Sequence, residues 1–440
     1  MKRKKWSPRE ILAGLALTLL TIALCGCGKE EKDLPEDTPW NHGYNAIMET
    51  DAGYYSNLMD EMHVCYYDKA TGNAILLCNK PECQHEGGDE CEATYHNMRT
   101  INTLLYDGYL YLLGVEEEDH VVSISLYRGA LDGSSMDKIG TVISKENTKD
   151  QEYMIFNPHS QETTSFCNDN SAFIIHKGYA YIPYYLRFGQ GMKGFMGGGL
   201  VRMDVRTGEM KELYANEHAN SDTPRNLVGA GDYVYFDLGF ENHRYVISED
   251  RIEGCTWGMP KQEDMAQVTT VQEIIFPQIS RSGTGLCRCY TKEKVYEYAA
   301  GTLTTYDAVT MESLGEPISM ELPKASITRN SMGNIQEQKV RLYEDTLLIA
   351  NAERAYFYNL SGELLGELAI PEDVKTHENA FGLTILDYKF HDGRVYLINR
   401  YVWPSHQWFR VFSCEIEDIF QGAGTWKEIY RIEGIDGAGK

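Results

Sequence analysis

The stretch Asp107 to Gly114, DGYLYLLG, is a tight turn followed by alternating aromatic and aliphatic residues. Side chains of a strand point alternately to opposite faces, so this pattern reads as a half-buried β-strand entered through a hairpin turn. Similar turns and strands begin near Gly53 (GYYSN), Gly178 (GYAYIPYY), Gly231 (GDYVYFDLG), Lys292 (KEKVYEYAAG), Asp345 (DTLLIANA) and Gly393 (GRVYLINRY). Seven copies spaced 48 to 70 residues apart constrain the chain to an architecture that grows by adding units.

A second hairpin recurs beside the first. It appears as HVCYYD, the turn Lys69 to Gly72 and NAILLC, then as LVRMDVRTGEMKELY (200–214), TLTTYDAVTMESLGEPI (302–318) and AYFYNLSGELLGELAI (355–370). Two hairpins per unit make four short antiparallel strands, the plan of a propeller blade. The expected fold is all-β: a single β-propeller of about seven four-stranded antiparallel blades over residues 44–432, with helix confined to an N-terminal signal segment. No long stretch keeps a period of 3.6, which argues against a parallel α/β sheet. A polar insertion is expected over 145–170 and an irregular one around 241–288, where the strand pattern is least clear. The last strands, near Phe409 to Glu415 and Trp426 to Ile432, are expected to complete a blade with the N-terminal strand and so remove an exposed edge.

Composition bounds the rest. A chain of 440 residues exceeds one ordinary core, while 42% hydrophobic residues and 30 tyrosines exclude a disordered chain. The net charge of -24 leaves no basic footprint for phosphates, which argues against a nucleic-acid partner.

The N-terminus carries an address. Lys2, Arg3, Lys4 and Lys5 precede an apolar run from Ile11 to Leu24 that is short for a membrane span. It ends in Leu24-Cys25-Gly26-Cys27, which resembles the lipobox of bacterial lipoproteins, with an aliphatic residue at -3 and a small one at -1. The resemblance implies removal of residues 1–26 and lipidation of Cys27; Cys25 fits poorly because Leu24 is large where a small residue is wanted. The mature chain would then carry a charge of -28. Acyl chains, at about 0.8 kcal/mol per buried methylene, would hold it on a bilayer without a transmembrane helix. Residues 27–43 are polar and read as a flexible tether, and 433–440 as a C-terminal tail. The expected location is the cell membrane, lipid-anchored on the extracytoplasmic face.

The DGxxYY-like turns and YDxxTGE-like hairpins resemble those of bacterial propeller lipoproteins related to the low-density-lipoprotein-receptor propeller, and also quinoprotein-type repeats. The resemblance spans residues 44–431 and implies the fold; propellers serve as enzymes, binders and assembly platforms alike.

Residues 77–93 read LCNKPECQHEGGDECEA and gather Cys78, Cys83, His85 and Cys91. Three thiols and an imidazole match the ligand set of a structural zinc site, although the usual CxxC knuckle is missing. An exported chain also meets oxidising conditions, so disulfides among these residues and Cys65 are the competing reading, and unpaired thiols a third. Cys287 and Cys289 lie two apart, on one strand face, and call for separate partners or free thiols. Cys167, Cys255 and Cys414 stand alone and suit buried packing roles.

Tyr184 and Tyr185 follow one inner strand, and Tyr401, Trp403, His406 and Trp408 cluster after another. Rings gathered on one propeller face could stack on sugars or grip a peptide, against the ordinary role of packing between sheets. The glycine-rich segment 188–200 (FGQGMKGFMGGGL) lacks the Lys, spacing and helix start of a phosphate loop and reads as a mobile hairpin loop. No GxSxG, HExxH or repeated calcium-ligand motif is present. The expected function is therefore a membrane-anchored propeller that binds an extracellular ligand or a protein partner. The alternatives are a solute-binding lipoprotein of a transporter, which calls for two α/β lobes, and an extracytoplasmic polysaccharide-acting enzyme.

Overall fold

The computed structural model describes residues 47–58, 63–78, 80, 82–83, 102–148, 152–156, 173–189, 195–216, 223–239, 241–257, 287–299, 301–320, 339–351, 353–375, 383–403 and 406–435. Within them the chain forms seven sheets, each from consecutive strands paired antiparallel, arranged as the blades of a β-propeller. Blades 1 to 7 occupy residues 47–76, 102–146, 152–216, 224–254, 287–319, 339–369 and 383–435. Among the described residues helix is confined to two short pieces, Glu372–Lys375 and Ile416–Phe420. No helix among the described residues is long and apolar enough to cross a membrane.

Every turn singled out in the sequence opens the second strand of a blade. In blades 2, 3 and 7 both central residues of that turn have positive φ: Asp107 and Gly108, Lys177 and Gly178, Asp392 and Gly393. These are the values of a type I′ turn, whose twist matches that of the flanking strands. The second hairpin has its own recurring chemistry. Asp68, Asp204, Asp307 and Asn359 close its turn by accepting hydrogen bonds from backbone N–H groups two to four residues on; Asp68 takes Thr71 N at 2.7 Å and Asp307 takes Thr310 N at 2.7 Å. Those bonds favour the charged form and hold the Asp68 and Asp307 carboxyls below the usual range. The YDxxTG signature is thus an Asx-type turn repeated around the ring.

Adjacent blades are clasped at two radii. Inside, an aromatic residue ending the first strand reaches the turn of the next blade. Tyr106 Oη accepts from Gly178 N at 3.1 Å, His176 Nε2 bonds the Gly231 carbonyl at 2.8 Å, and Tyr343 Oη accepts from Gly393 N at 3.1 Å. Outside, the second-hairpin turn of one blade packs on the outer strand of the blade before it. A Cβ on Gly208 would stand 2.4 Å from the Ile139 carbonyl oxygen, and one on Gly366 would stand 2.7 Å from that of Ile419. Losing one inner clasp should be measurable: Tyr106→Phe and Tyr343→Phe are each expected to lower unfolding free energy by about 1 kcal/mol in urea titrations. A Tyr356→Phe control, whose hydroxyl has no partner among the described residues, should not.

Three expectations change in detail. The N-terminal strand does not complete the last blade, because Leu383–His391, Arg394–Trp403, His406–Glu415 and Lys427–Ile435 already supply four strands. Side chains close the ring instead. Tyr54, Tyr396, Ile398, Val411 and Tyr430 form one cluster, and Tyr67 meets Tyr430 edge-on at 5.2 Å. Glu49 of blade 1 accepts from Tyr396 Oη at 2.5 Å and pairs with Lys69 at 2.6 Å. Blade 4 is complete, since Glu241–Val246 and Arg251–Gly254 are its third and fourth strands; residues 258–286 lie outside the described residues. The polar segment after residue 145 contributes a fifth strand to blade 3, Glu152–Phe156, which pairs with the far end of Tyr179–Gly189.

Candidate interaction face

Antiparallel strands in sequence order place the first-hairpin and second-hairpin turns of every blade at the same end of the propeller. Seven large hydrophobic side chains are conspicuously exposed among the described residues: Ile75, Tyr109, Met210, Val309, Leu314, Leu364 and Phe420. All of them lie in these turns or within three residues of one. Val309 (62% exposed) and Leu314 (47%) belong to blade 5, Leu364 (45%) to blade 6 and Phe420 (40%) to blade 7, so four fall on three consecutive blades. In DAVTM, GELLG and DIFQG the exposed Val309, Leu364 and Phe420 each stand beside a second apolar residue, Ala308, Leu365 or Ile419, that is buried or half-buried, so the sequence alone does not say which of the two faces water.

The surroundings of those four are acidic. Glu312, Glu316, Glu363, Glu417 and Asp418 are exposed and have no ion-pair partner among the described residues, whereas Arg354 and Arg394 are already paired with Glu367 and Glu415, each at 2.6 Å. Lys292 and Lys294 of blade 5 and Lys427 of blade 7 are exposed cations at the same end.

The residues expected to form a site are placed differently. Tyr184 and Tyr185 are 2% and 6% exposed. Tyr184 lies against Gly199 of the third strand, where a Cβ would stand 2.4 Å from its Oη, and Arg225 lies over the Tyr185 ring at 5.7 Å. Both rings pack between strands and offer no open stacking surface. Tyr401 pairs in register with Trp408 and Trp403 with His406 between the second and third strands of blade 7; their side chains lie outside the described residues. Gly197 to Gly199, expected in a mobile loop, are buried strand residues within Phe195–Asp204.

Cys27, His85 and Cys91 lie outside the described residues. Cys78 and Cys83 are half-buried, and Cys65 is buried on the third strand of blade 1. No group of three or more His, Cys, Asp or Glu among the described residues is placed to hold a metal ion. Cys287 is disulfide-bonded. Cys289 is a free thiol that burial pushes up to about 12, and Cys255 is raised to about 12 for the same reason. Neither is a poised nucleophile.

One polar cluster is internal. Between blades 4 and 5, Asp237 accepts from Asn226 Nδ2 at 2.7 Å and from Asn242 Nδ2. Arg288 pairs with Glu297 at 2.7 Å, and its guanidinium lies 5.7 Å from the centre of the Trp257 ring. Burial raises the Asp237 carboxyl above its ordinary value, against the pull of the two amides and of Arg288 and Arg225.

No protein-family model and no curated protein sequence matches this chain. Solved structures that it resembles in shape include the CNH domain of AfRom2, with 7% identity and a TM-score of 0.39 over 84% of this chain and 94% of that one. The Pan2 WD40 domain of Neurospora crassa gives 11% identity and a TM-score of 0.36 over 81% and 86%. An α-L-arabinanase of Penicillium chrysogenum, solved with arabinobiose, gives 10% and 0.31 over 73% and 92%. Likeness at this level carries no functional information.

Proposed function

We propose that this chain is a lipoprotein, held by Cys27 on the extracytoplasmic face of a membrane, whose propeller is a scaffold for protein interaction. The observation that carries the scaffold reading is the set of exposed apolar side chains collected at the turn end of the blades, since exposed apolar surface framed by polar residues marks association sites. The lipobox-like Leu24 to Cys27 supports the anchor. The disulfide at Cys287 supports an oxidising compartment, where such bonds persist. Within this reading Cys78, Cys83, His85 and Cys91 staple their loop, through zinc or through disulfides. Metal analysis of protein purified with and without reductant separates the two.

Two measurements test the reading. Cys27→Ser should move the chain from the membrane fraction to the soluble fraction of exported protein, because the thiol that would carry the acyl chains is gone. Unchanged fractionation would refute the anchor. Photo-crosslinking residues placed at Tyr109, Met210 and Leu364 should give discrete adducts in cells, and positions in the buried strands none. An absence of adducts at every turn-end position would refute the scaffold. The two-lobed α/β architecture called for by a solute-binding lipoprotein is not the architecture of this chain.

A further inference from the structure

We infer that the arc Val309, Leu314, Leu364 and Phe420 docks a basic amphipathic segment of a partner protein, one that presents apolar side chains on one face and Lys or Arg on the other. This inference rests on the scaffold reading and names the part of the turn end that does the work. The arc runs along consecutive blades whose outer turns are packed on one another's strands. A Cβ on Gly362 of blade 6 would stand 2.8 Å from Ile318 of blade 5, and the helix Ile416–Phe420 of blade 7 rests on Gly366 of blade 6. Those packing contacts hold the four exposed side chains on a rigid frame, so little conformational entropy is lost when a partner covers them.

Charge selects the partner. Glu312, Glu316, Glu363, Glu417 and Asp418 lie in the same turns as the arc, and Glu293, Glu344, Asp345 and Asp392 are exposed in or beside the first-hairpin turns of the same blades, against the exposed cations Lys292, Lys294 and Lys427. An acidic segment would meet an excess of like charges, while a purely basic one would leave the apolar side chains in water. A segment carrying both satisfies each part, with the apolar contact supplying affinity and the carboxylates supplying register and on-rate.

The test uses the full chain in mild detergent and three synthetic peptides of equal length. One is a helical Leu/Lys peptide with leucines on one face, one is polylysine, and one is the Leu/Glu counterpart. Binding is followed by fluorescence anisotropy. The Leu/Lys peptide should bind at least tenfold more tightly than polylysine, and the Leu/Glu peptide should not bind. The combined Val309→Ser, Leu364→Ser and Phe420→Ser variant should weaken Leu/Lys binding at least tenfold; exposed substitutions of this kind leave the fold intact. A matched Ile75→Ser, Met210→Ser variant on blades 1 and 3 should stay within twofold of the parent. Equal loss in both variants, or equal affinity for Leu/Lys and polylysine, would show only diffuse attraction to an acidic surface and overturn the arc. Loss confined to the Ile75→Ser, Met210→Ser variant would also overturn it, yet leave the scaffold reading standing. Crosslinking decides that reading separately.

Discussion

Gly199→Ala is expected to lower the free energy of unfolding by about 3 kcal/mol, the upper end of what overpacking a close-packed interior costs. The added Cβ would lie 2.4 Å from Tyr184 Oη and 2.5 Å from Tyr184 Cζ, and a ring only 2% exposed has nowhere to swing. The neighbouring Gly198→Ala meets the Tyr184 carbonyl oxygen at 2.5 Å, so there the backbone itself must shift and the loss should be at least as large. Urea titrations of the two variants measure both. A Tyr184→Leu, Gly199→Ala double variant should recover part of the loss, because the shorter side chain vacates the space that the Cβ enters. A loss below about 0.5 kcal/mol in Gly199→Ala would show that this strand gives way as a loose loop does.

Asp237→Ala is expected to cost a similar amount, about 3 kcal/mol, because it strands the side-chain amides of Asn226 and Asn242 and removes the carboxylate facing Arg225 and Arg288. Asp237→Asn keeps the shape and loses the charge; its amide group opposes one of those donors, so an intermediate loss of about 1 to 2 kcal/mol follows. The pH dependence gives a second readout with a definite sign. A carboxyl whose folded pKa is raised binds its proton more tightly in the folded state. Its contribution to stability is therefore greatest below the ordinary value near 3.8 and declines as pH rises through the higher folded value. Glu253 and Glu428, held low by Arg251 and Arg244 and by Arg431 and Arg410, act in the opposite sense: their contribution is present above about 4.5 and is lost as pH falls. Stability measured from pH 3 upward should thus rise from the glutamates in both proteins. Asp237→Asn should lack the decline above pH 4 that parent protein shows. Identical profiles in parent and variant would refute the assignment.

The architecture was legible in the sequence because its signals are local. A DG or KG pair flanked by alternating aromatics specifies a type I′ hairpin whatever surrounds it, and Asp68 or Asp204 caps its own turn from within five residues. Repetition turned local signals into a global one, and the seven turns found at Gly53, Gly108, Gly178, Gly231, Lys292, Asp345 and Gly393 each open the second strand of a blade. Blade 4 was less legible. Its third strand, ENHRYV, carries polar residues where alternation would place apolar ones, and Arg244 is buried there through bonds to Glu253 and to the Ala308 carbonyl of the next blade. Partners of that kind sit 9 and 64 residues away and leave no periodic trace.

The candidate site was less legible still, for a related reason. Tyr184 and Tyr185 read as a binding surface because aromatic residues suit both stacking and packing; only the glycines of the third strand, brought opposite by the hairpin, decide for packing. Val309, Leu314, Leu364 and Phe420 are separated by up to 111 positions and come to share one end of three consecutive blades only through strand pairing and blade packing. By itself, then, the sequence determined the repeat, the turns and the blade count, all of which depend on residues a few positions apart. The tertiary structure decided which aromatics are buried, how side chains rather than a shared strand close the ring, and which exposed hydrophobes share one end. Those outcomes depend on packing between blades, which no stretch of sequence contains.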